Sequence, residues 1–365
     1  MDFVFWISAA VIAYVYAGYP LLLAVWARVA PKAPRKGAFP AGQWPSLSVI
    51  VAARNEAARL PARIENLLDL PYEGAREIIV VSDGSTDRTE EAIARYVSRG
   101  DVRFIAVPAG GKPVALNAGV AAARGDILVF ADARQQFAAA ALIELASNFA
   151  DPEVGGATGE LVLDCESGSS ASSIGDGVGA YWKYEKWLRR HESRIWSTLG
   201  ATGAIYALRR ALWRPLPADT LLDDVLTPMR AVLDGWRVVF EADAMAEDWT
   251  APDGAVEARR KRRTLAGNYQ ILAQEPRLLI PVVNPVWLQY VSHKVGRLVV
   301  PWALIGLFAS SVMLARDGWT YALAFAAQAA FYALAALGAW LDAKARHDAS
   351  GFAADLPVAF GKEAR

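Results

Sequence analysis

Four short polar elements punctuate residues 53–134, and each sits at the edge of an apolar or helical run. Ala53-Arg54-Asn55-Glu56 closes the apolar stretch Leu47–Ala53, and Asp83-Gly84-Ser85-Thr86-Asp87 closes Glu77–Ser82 with a glycine that lets the chain turn tightly beside a ligand. Gly110-Gly111-Lys112 opens a helical stretch carrying Asn117, a cation and a helix N-terminus together being suited to neutralising phosphate. Ile127-Leu128-Val129-Phe130-Ala131 then ends abruptly in Asp132-Ala133-Arg134. Any one of these elements alone reads better as a cap or a turn. Four in series, each at the end of a strand or the start of a helix, point to one edge that holds a ligand.

The elements between them fit that arrangement. Apolar runs at Leu47–Ala53, Glu77–Ser82, Val102–Val107 and Asp126–Ala131 alternate with helical patterns at Asn55–Leu68, Asp87–Ser98 and Lys112–Ala123. Asp87 and Glu90 have capping-box spacing. Such alternation predicts an α/β fold with a mainly parallel sheet and right-handed crossovers, whose ligands sit at the carboxyl ends of the strands. A helix over Ala138–Ala150, a short strand pair near Gly156–Leu163 and a Gly/Ser-rich loop over Ser167–Gly179 follow. The helix expected from Gly179 to Glu192 carries Tyr181, Trp182, Tyr184 and Trp187, which could form a stacking platform for a ligand or simply pack. His191 and Cys165 have no partners at ligand spacing.

Composition sets the frame. The chain has 365 residues, 54% of them hydrophobic, with the excess at its two ends. Equal counts of 38 basic and 38 acidic residues give no electrostatic case for a nucleic-acid partner. Its single cysteine excludes an intramolecular disulfide and fits a reducing compartment. Phe3–Val29 is long enough to cross the ~30 Å hydrocarbon core, and Arg28, Lys32, Arg35 and Lys36 then place the following residues in the cytoplasm. A signal peptide is the competing reading, but the stretch is too long and lacks a basic start. Leu298–Ala315 and Trp319–Leu341, split only by Arg316-Asp317-Gly318, predict a spanning hairpin, with a buried helix pair as the alternative. The expected layout is an N-terminal transmembrane helix (1–30), a linker (31–46), a cytoplasmic catalytic domain (47–280), an interfacial helix (281–297), a transmembrane hairpin (298–343) and a cytoplasmic tail (344–365). That describes an integral protein of an inner or plasma membrane.

The ordered series Ser48–Glu56, Val80–Asp87 and Gly111–Asn117 resembles family 2 glycosyltransferases, in the membrane branch that includes cellulose, hyaluronan and chitin-oligosaccharide synthases. The resemblance runs from about Leu47 to Gln270 and implies a GT-A fold that binds a nucleotide sugar. It implies that Glu56 and Asp83 hold the nucleoside, that Lys112 lies near the diphosphate with Asn117 on its helix, and that Asp132 is the first carboxylate of an Asp-X-Asp motif holding the diphosphate and a divalent metal, Mg2+ or Mn2+. Leu222-Asp223-Asp224 resembles the family's acidic block, with Asp224 on the catalytic base. Arg259–Thr264 and Gly267–Gln270 resemble the basic motif that embraces the diphosphate, bringing in Arg260 and Arg263. Inverting sugar transfer needs such a base and such a cationic clamp.

Two departures stand out. Arg134 occupies the third position of Asp-X-Asp, so an expected metal ligand is replaced by a cation that could contact phosphate or acceptor, or pair with Asp132. The basic motif lacks its aromatic residue, Thr264 standing there, which weighs against processive polymerisation. The expected activity is transfer from a nucleotide sugar, a UDP-sugar first, to a lipid-linked or glycan acceptor, in a chain that could oligomerise. A processive synthase and a catalytically silent nucleotide-sugar-binding protein are the alternatives. A dehydrogenase would want Gly-X-Gly-X-X-Gly after the first strand, and Ala53-Arg54-Asn55-Glu56 is not that.

Overall fold

The computed structural model describes residues 1–37, 39–40, 42–163, 173–248 and 254–354. The expected position of Cys165 and part of the Gly/Ser-rich segment lie outside them. The chain divides into two compact units, Met1–Tyr14 with Val299–Arg365, and Val15–Leu298. The sheet and every candidate site residue belong to the second.

That sheet has eight strands: β1 (Leu47–Ala53), β2 (Arg76–Asp83), β3 (Arg103–Val107), β4 (Ile127–Asp132), β5 (Gln136–Phe137), β6 (Val154–Leu163), β7 (Ile205–Arg209) and β8 (Arg237–Asp248). Their spatial order is β3-β2-β1-β4-β7-β6-β8-β5. The first four are parallel; β1, β2 and β4 are buried on both faces, as their apolar runs predict, and β3 forms the partly exposed edge. Val49 and Val51 point into one core with Ile64, Leu67 and Val80, whereas Ile50 points into the other with Leu128, Phe130 and Leu226. The register levels the strand ends. Ala52 pairs with Asp132, Ala53 with Ser82, and Asp83 with Val107, so the four polar elements emerge along one edge.

Departures from the sequence reading have local causes. The helix expected from Asn55 begins at Leu60, because Asn55 adopts a left-handed φ of 56° and Pro61 sits in the first helical turn. The strand pair expected near Gly156–Leu163 is one strand, β6, antiparallel to β7 and parallel to β8. The helix expected from Gly179 spans Ser173–Ile195, so residues 173–178, expected as loop, are helical. Its Leu188 and Ile195 pack with Tyr19, Leu23 and Ala27, and Tyr184 and Trp187 join that cluster. Those two rings are therefore packing residues. Tyr181's side chain is outside the described set.

Three helices are long and apolar enough to cross a membrane: Asp2–Val29, Trp287–Leu314 and Trp319–Leu341. The stretch expected as a separate interfacial helix continues from Trp287 through a π-helical turn, Tyr290–Val295, into the second of them.

The turn after β2 depends on glycine. Gly84 has φ +57°, and a Cβ there would lie 2.6 Å from the Ala109 backbone nitrogen. Gly84→Ala is expected to cost about 1–3 kcal/mol, seen as a lowered Tm in thermal unfolding with donor affinity falling in parallel. An unchanged Tm would show that the turn relaxes freely.

Candidate active site

Lys112 opens the helix Lys112–Ala122, with Pro113 in its first turn. Its Nζ lies 3.0 Å from Asp132 Oδ1, at the end of β4, and 3.6 Å from Asp223 Oδ2. Asp223 and Asp224 occupy the first turn of the helix Asp223–Leu233, and Leu222 is its N-cap residue. Neither aspartate is the cap. Two elements that the sequence suggested separately, the Asp132 edge and the Asp223-Asp224 block, are thus joined by one ammonium.

The electrostatics follow from that geometry. Burial opposes the charge of Lys112, but Asp223, Asp132 and Asp224 outweigh it and hold the ammonium well above its ordinary pKa. Burial and the neighbouring Asp223 push the Asp224 carboxyl up, with Lys112, Arg189 and Lys294 pulling the other way. Gly203 makes room for that carboxyl, since a Cβ there would lie 2.9 Å from Asp224 Oδ2. The Ala201 amide donates to the Asp224 carbonyl at 2.6 Å. A carboxylate whose proton affinity is raised beside a fixed cation suits a proton acceptor.

The other predicted residues divide into those that line the cleft and those that hold it. Glu56, Asp132 and Arg134, with Ala52, Ala133 and Gln135, line a cleft of roughly 190 Å³ at the carboxyl edge. Glu56 also accepts from Arg59 at 2.8 Å. Asp83 is buried and takes the Gly110 and Gly111 amides at 2.7 and 3.0 Å, so it fixes the loop that presents Lys112. Asn55 ties the first loop to the second, its Oδ1 accepting from the Thr86 amide at 2.8 Å. Asn117 is engaged elsewhere. Its amide exchanges two hydrogen bonds with the Leu216 backbone, at 2.8 and 2.9 Å, which braces the helix rather than the cleft. Arg263 donates to the Leu221 carbonyl at 3.0 Å, immediately before the acidic block, and Arg260 lies 5.5 Å from the Trp182 ring.

Arg134 does not pair with Asp132. Its Nη2 donates to Asp248 Oδ2 at 2.8 Å, and Gln135 Nε2 donates to the same oxygen at 2.9 Å. Asp248, at the end of β8, was not singled out by the sequence. The only signal for it is the β5–β8 pairing that sets Gln136 against Glu247, which no local pattern reveals.

A divalent cation fits this edge in one way. Asp132 is the single cleft carboxylate of the Asp-X-Asp position, and one of its oxygens is bound to Lys112. One carboxylate with substrate phosphates is a donor set that suits Mg2+ or Mn2+ arriving with a diphosphate. Among the described residues, the carboxylates that converge at ligand spacing are Glu144, Glu241 and Asp243. Lys36 already bridges Glu144 and Glu241 at 2.9 and 2.6 Å, which closes that group as an ion-pair network.

With this geometry in place, comparison with known proteins is decisive for the family. The profile described as Glycosyl transferase family 2 matches residues 48–212, which include the four strand-end elements. An N-acetylglucosaminyltransferase of Rhizobium leguminosarum bv. trifolii is 31% identical over 130 residues, covering 34% of this chain and 71% of that protein. The chain belongs to glycosyltransferase family 2. This glycosyltransferase is also 27% identical over 212 residues to a beta-monoglucosyldiacylglycerol synthase of Nostoc sp., covering 54% of the chain and 43% of that longer protein. Its fold is similar to that of a mannosyltransferase from Pyrobaculum calidifontis solved with GDP-Man and Mn2+, with a TM-score of 0.68, 24% identity, and coverage of 90% of this chain and 92% of that one. The fold is GT-A.

The raised pKa of Asp224 has a stability consequence. Its folded value lies above the unfolded one, so the stabilisation is fully present below the unfolded pKa and is lost as pH rises through the folded pKa. Above the unfolded pKa the raised carboxyl therefore works against the fold. Asp224→Asn is expected to raise Tm at pH 7 by about 2 °C or more and to flatten this part of the pH dependence. A lowered Tm would show that the carboxylate is a net stabiliser.

Proposed function

We propose that this glycosyltransferase is a membrane-bound, inverting enzyme that transfers one sugar from a nucleoside diphosphate donor, a UDP-sugar first, to a lipid-linked acceptor. The observation that carries the reading is Lys112, which ties the diphosphate edge at Asp132 to the Asp223-Asp224 block.

The donor would enter with its diphosphate at Lys112 and the N-terminus of the helix behind it, where cation and helix dipole act together. Glu56 and the Asp83 loop would bound the nucleoside end. Arg260 and Arg263 would complete the cationic clamp. A divalent ion on Asp132 would add Lewis-acid neutralisation of the departing diphosphate. Asp224 would take the proton of the acceptor hydroxyl as its oxygen bonds to the anomeric carbon and the bond to the diphosphate breaks. Attack opposite to departure inverts the anomeric centre. Asp223, buried beside it, would keep the proton affinity of Asp224 high.

Three apolar helices and the basic residues Arg28, Lys32, Arg35 and Lys36 support a domain held at the cytoplasmic face. Thr264, in place of an aromatic residue after the basic cluster, favours single transfer over polymerisation. Two readouts test the assignment. Asp224→Asn should lower transfer at least about 10³-fold, and donor affinity should stay within a few-fold in a screen of nucleotide sugars run with and without Mn2+. Retained turnover in that variant would remove Asp224 as the base.

A further inference from the structure

Between the helix Gly254–Gln274 and the apolar helix Trp287–Leu314 the chain forms a compact knuckle whose outer surface is apolar. No Asp, Glu, Lys or Arg occurs from Leu278 to Ser292. Leu279, Ile280, Pro281, Val283 and Pro285 are exposed, and Val282 is 94% exposed. Single exposed apolar residues are ordinary, but a continuous run of them marks a surface that meets something other than water.

The run is not a loose loop. Leu278, Val286 and Tyr290 are buried in one core with Val225, Leu226 and Met229 of the helix Asp223–Leu233. Arg230 of that helix lies 3.5 Å from Glu275, just ahead of the knuckle. Within the knuckle, the Ile280 carbonyl accepts from the Val283 and Asn284 amides at 3.1 and 3.0 Å. Buried Asn284 donates to the Leu278 carbonyl at 2.8 Å and accepts from the Val286 amide at 3.1 Å. The Trp287 indole donates to the Leu279 carbonyl at 2.9 Å. These polar groups are satisfied inside the turn while its apolar side chains face outwards. Such a surface offers a protein partner few hydrogen bonds to pair. It suits lipid, where backbone groups must be satisfied within the chain.

We propose that residues 279–285 seat in the interface of the lipid bilayer, with Val282 as the deepest point, a membrane contact separate from the three apolar helices. The inference rests on the membrane-bound reading above and adds a surface to it. The occupant is lipid rather than a second copy of the chain because the polypeptide runs from this surface straight into a helix long and apolar enough to cross a membrane, with no Asp, Glu, Lys or Arg before Lys294. Trp287, at the joint, is of the residue type favoured at the boundary of membrane and water. The inner face of the knuckle packs on the helix that begins with Asp223 and Asp224. The contact therefore holds that helix at a set height from the lipid, as an acceptor presented from the membrane requires.

The test uses the full chain with its single cysteine removed by Cys165→Ser and one of Val282→Cys, Val97→Cys or Leu323→Cys added. Each protein is labelled with a nitroxide and reconstituted in phosphatidylcholine vesicles. Val97, exposed on the helix Thr89–Ser98, is the aqueous control, and Leu323, exposed on Trp319–Leu341, is the control for a membrane span. Power saturation with oxygen, which partitions into lipid, and with a water-soluble nickel chelate gives each label a ratio of accessibilities. The ratio at Val282 is expected to approach that at Leu323 and to lie several-fold above that at Val97. A ratio at Val282 equal to that at Val97, with Leu323 lipid-like, would overturn the knuckle contact and leave the membrane-bound reading standing. A water-like Leu323 would overturn that reading and the contact with it. Spin–spin broadening confined to the Val282 label would place a second copy of the chain on the surface and overturn the proposal as well.

Discussion

The ammonium of Lys112 sits where three carboxylates would otherwise repel one another, and the arrangement of the site depends on it. Asp132, Asp223 and Asp224 come from a strand end and a helix start that are about ninety residues apart in sequence. Without a cation between them, their mutual repulsion and burial would force protonation or separation. Asp223 is buried in this cluster, and stripping a buried carboxylate of its cation costs more than the pair adds in net stability. This interaction therefore works less as a source of stability than as a constraint on position. It holds the Asp132 edge and the acidic block together, at the expense of a raised proton affinity on Asp224.

The sheet exists in a form that makes this contact possible. Parallel strands β1 to β4 end level, and their loops are stitched to one another by Asn55, Asp83 and Asp87 rather than by apolar packing. Antiparallel β7 then lies beside β4 and turns the chain back, so that Ala201–Gly203 meets the helix bearing Asp224. Phe130 of β4 stacks on Tyr206 of β7 at 4.5 Å, which fixes this return beneath the site. Small residues do the fine positioning. Gly84 permits the turn after Asp83, and Gly203 leaves the volume the carboxylate fills.

Much of this was legible in the sequence where the signal is local. Apolar runs ending in a carboxylate marked β1, β2 and β4, and a double glycine before Lys112 marked the helix start. The resemblance to family 2 brought in Asp223 and Asp224, which no local pattern would have tied to Lys112. What escaped the sequence depends on partners distant along the chain. Arg134 pairs with Asp248, 114 residues away, through the register of a two-residue strand. Asn117, on the helix of Lys112, turned out to brace Leu216, 99 residues away. Arg189 donates to Thr202 Oγ1 but gives no sign of it in sequence, because it lies among other charges on an aromatic helix. The fold class follows from periodicity; the assignment of each polar side chain follows from tertiary contacts that periodicity does not encode.

If Lys112 sets the proton affinity of Asp224, the acid limb of kcat/KM against pH reports it. In the wild-type enzyme this limb should lie above the ordinary aspartate value of about 3.9, because burial and Asp223 raise the carboxyl. In Lys112→Met, activity will be weaker, and the limb should move to higher pH, since a charge that lowered the pKa of Asp224 is gone. A limb at the same pH in both enzymes would show that Lys112 does not act on Asp224.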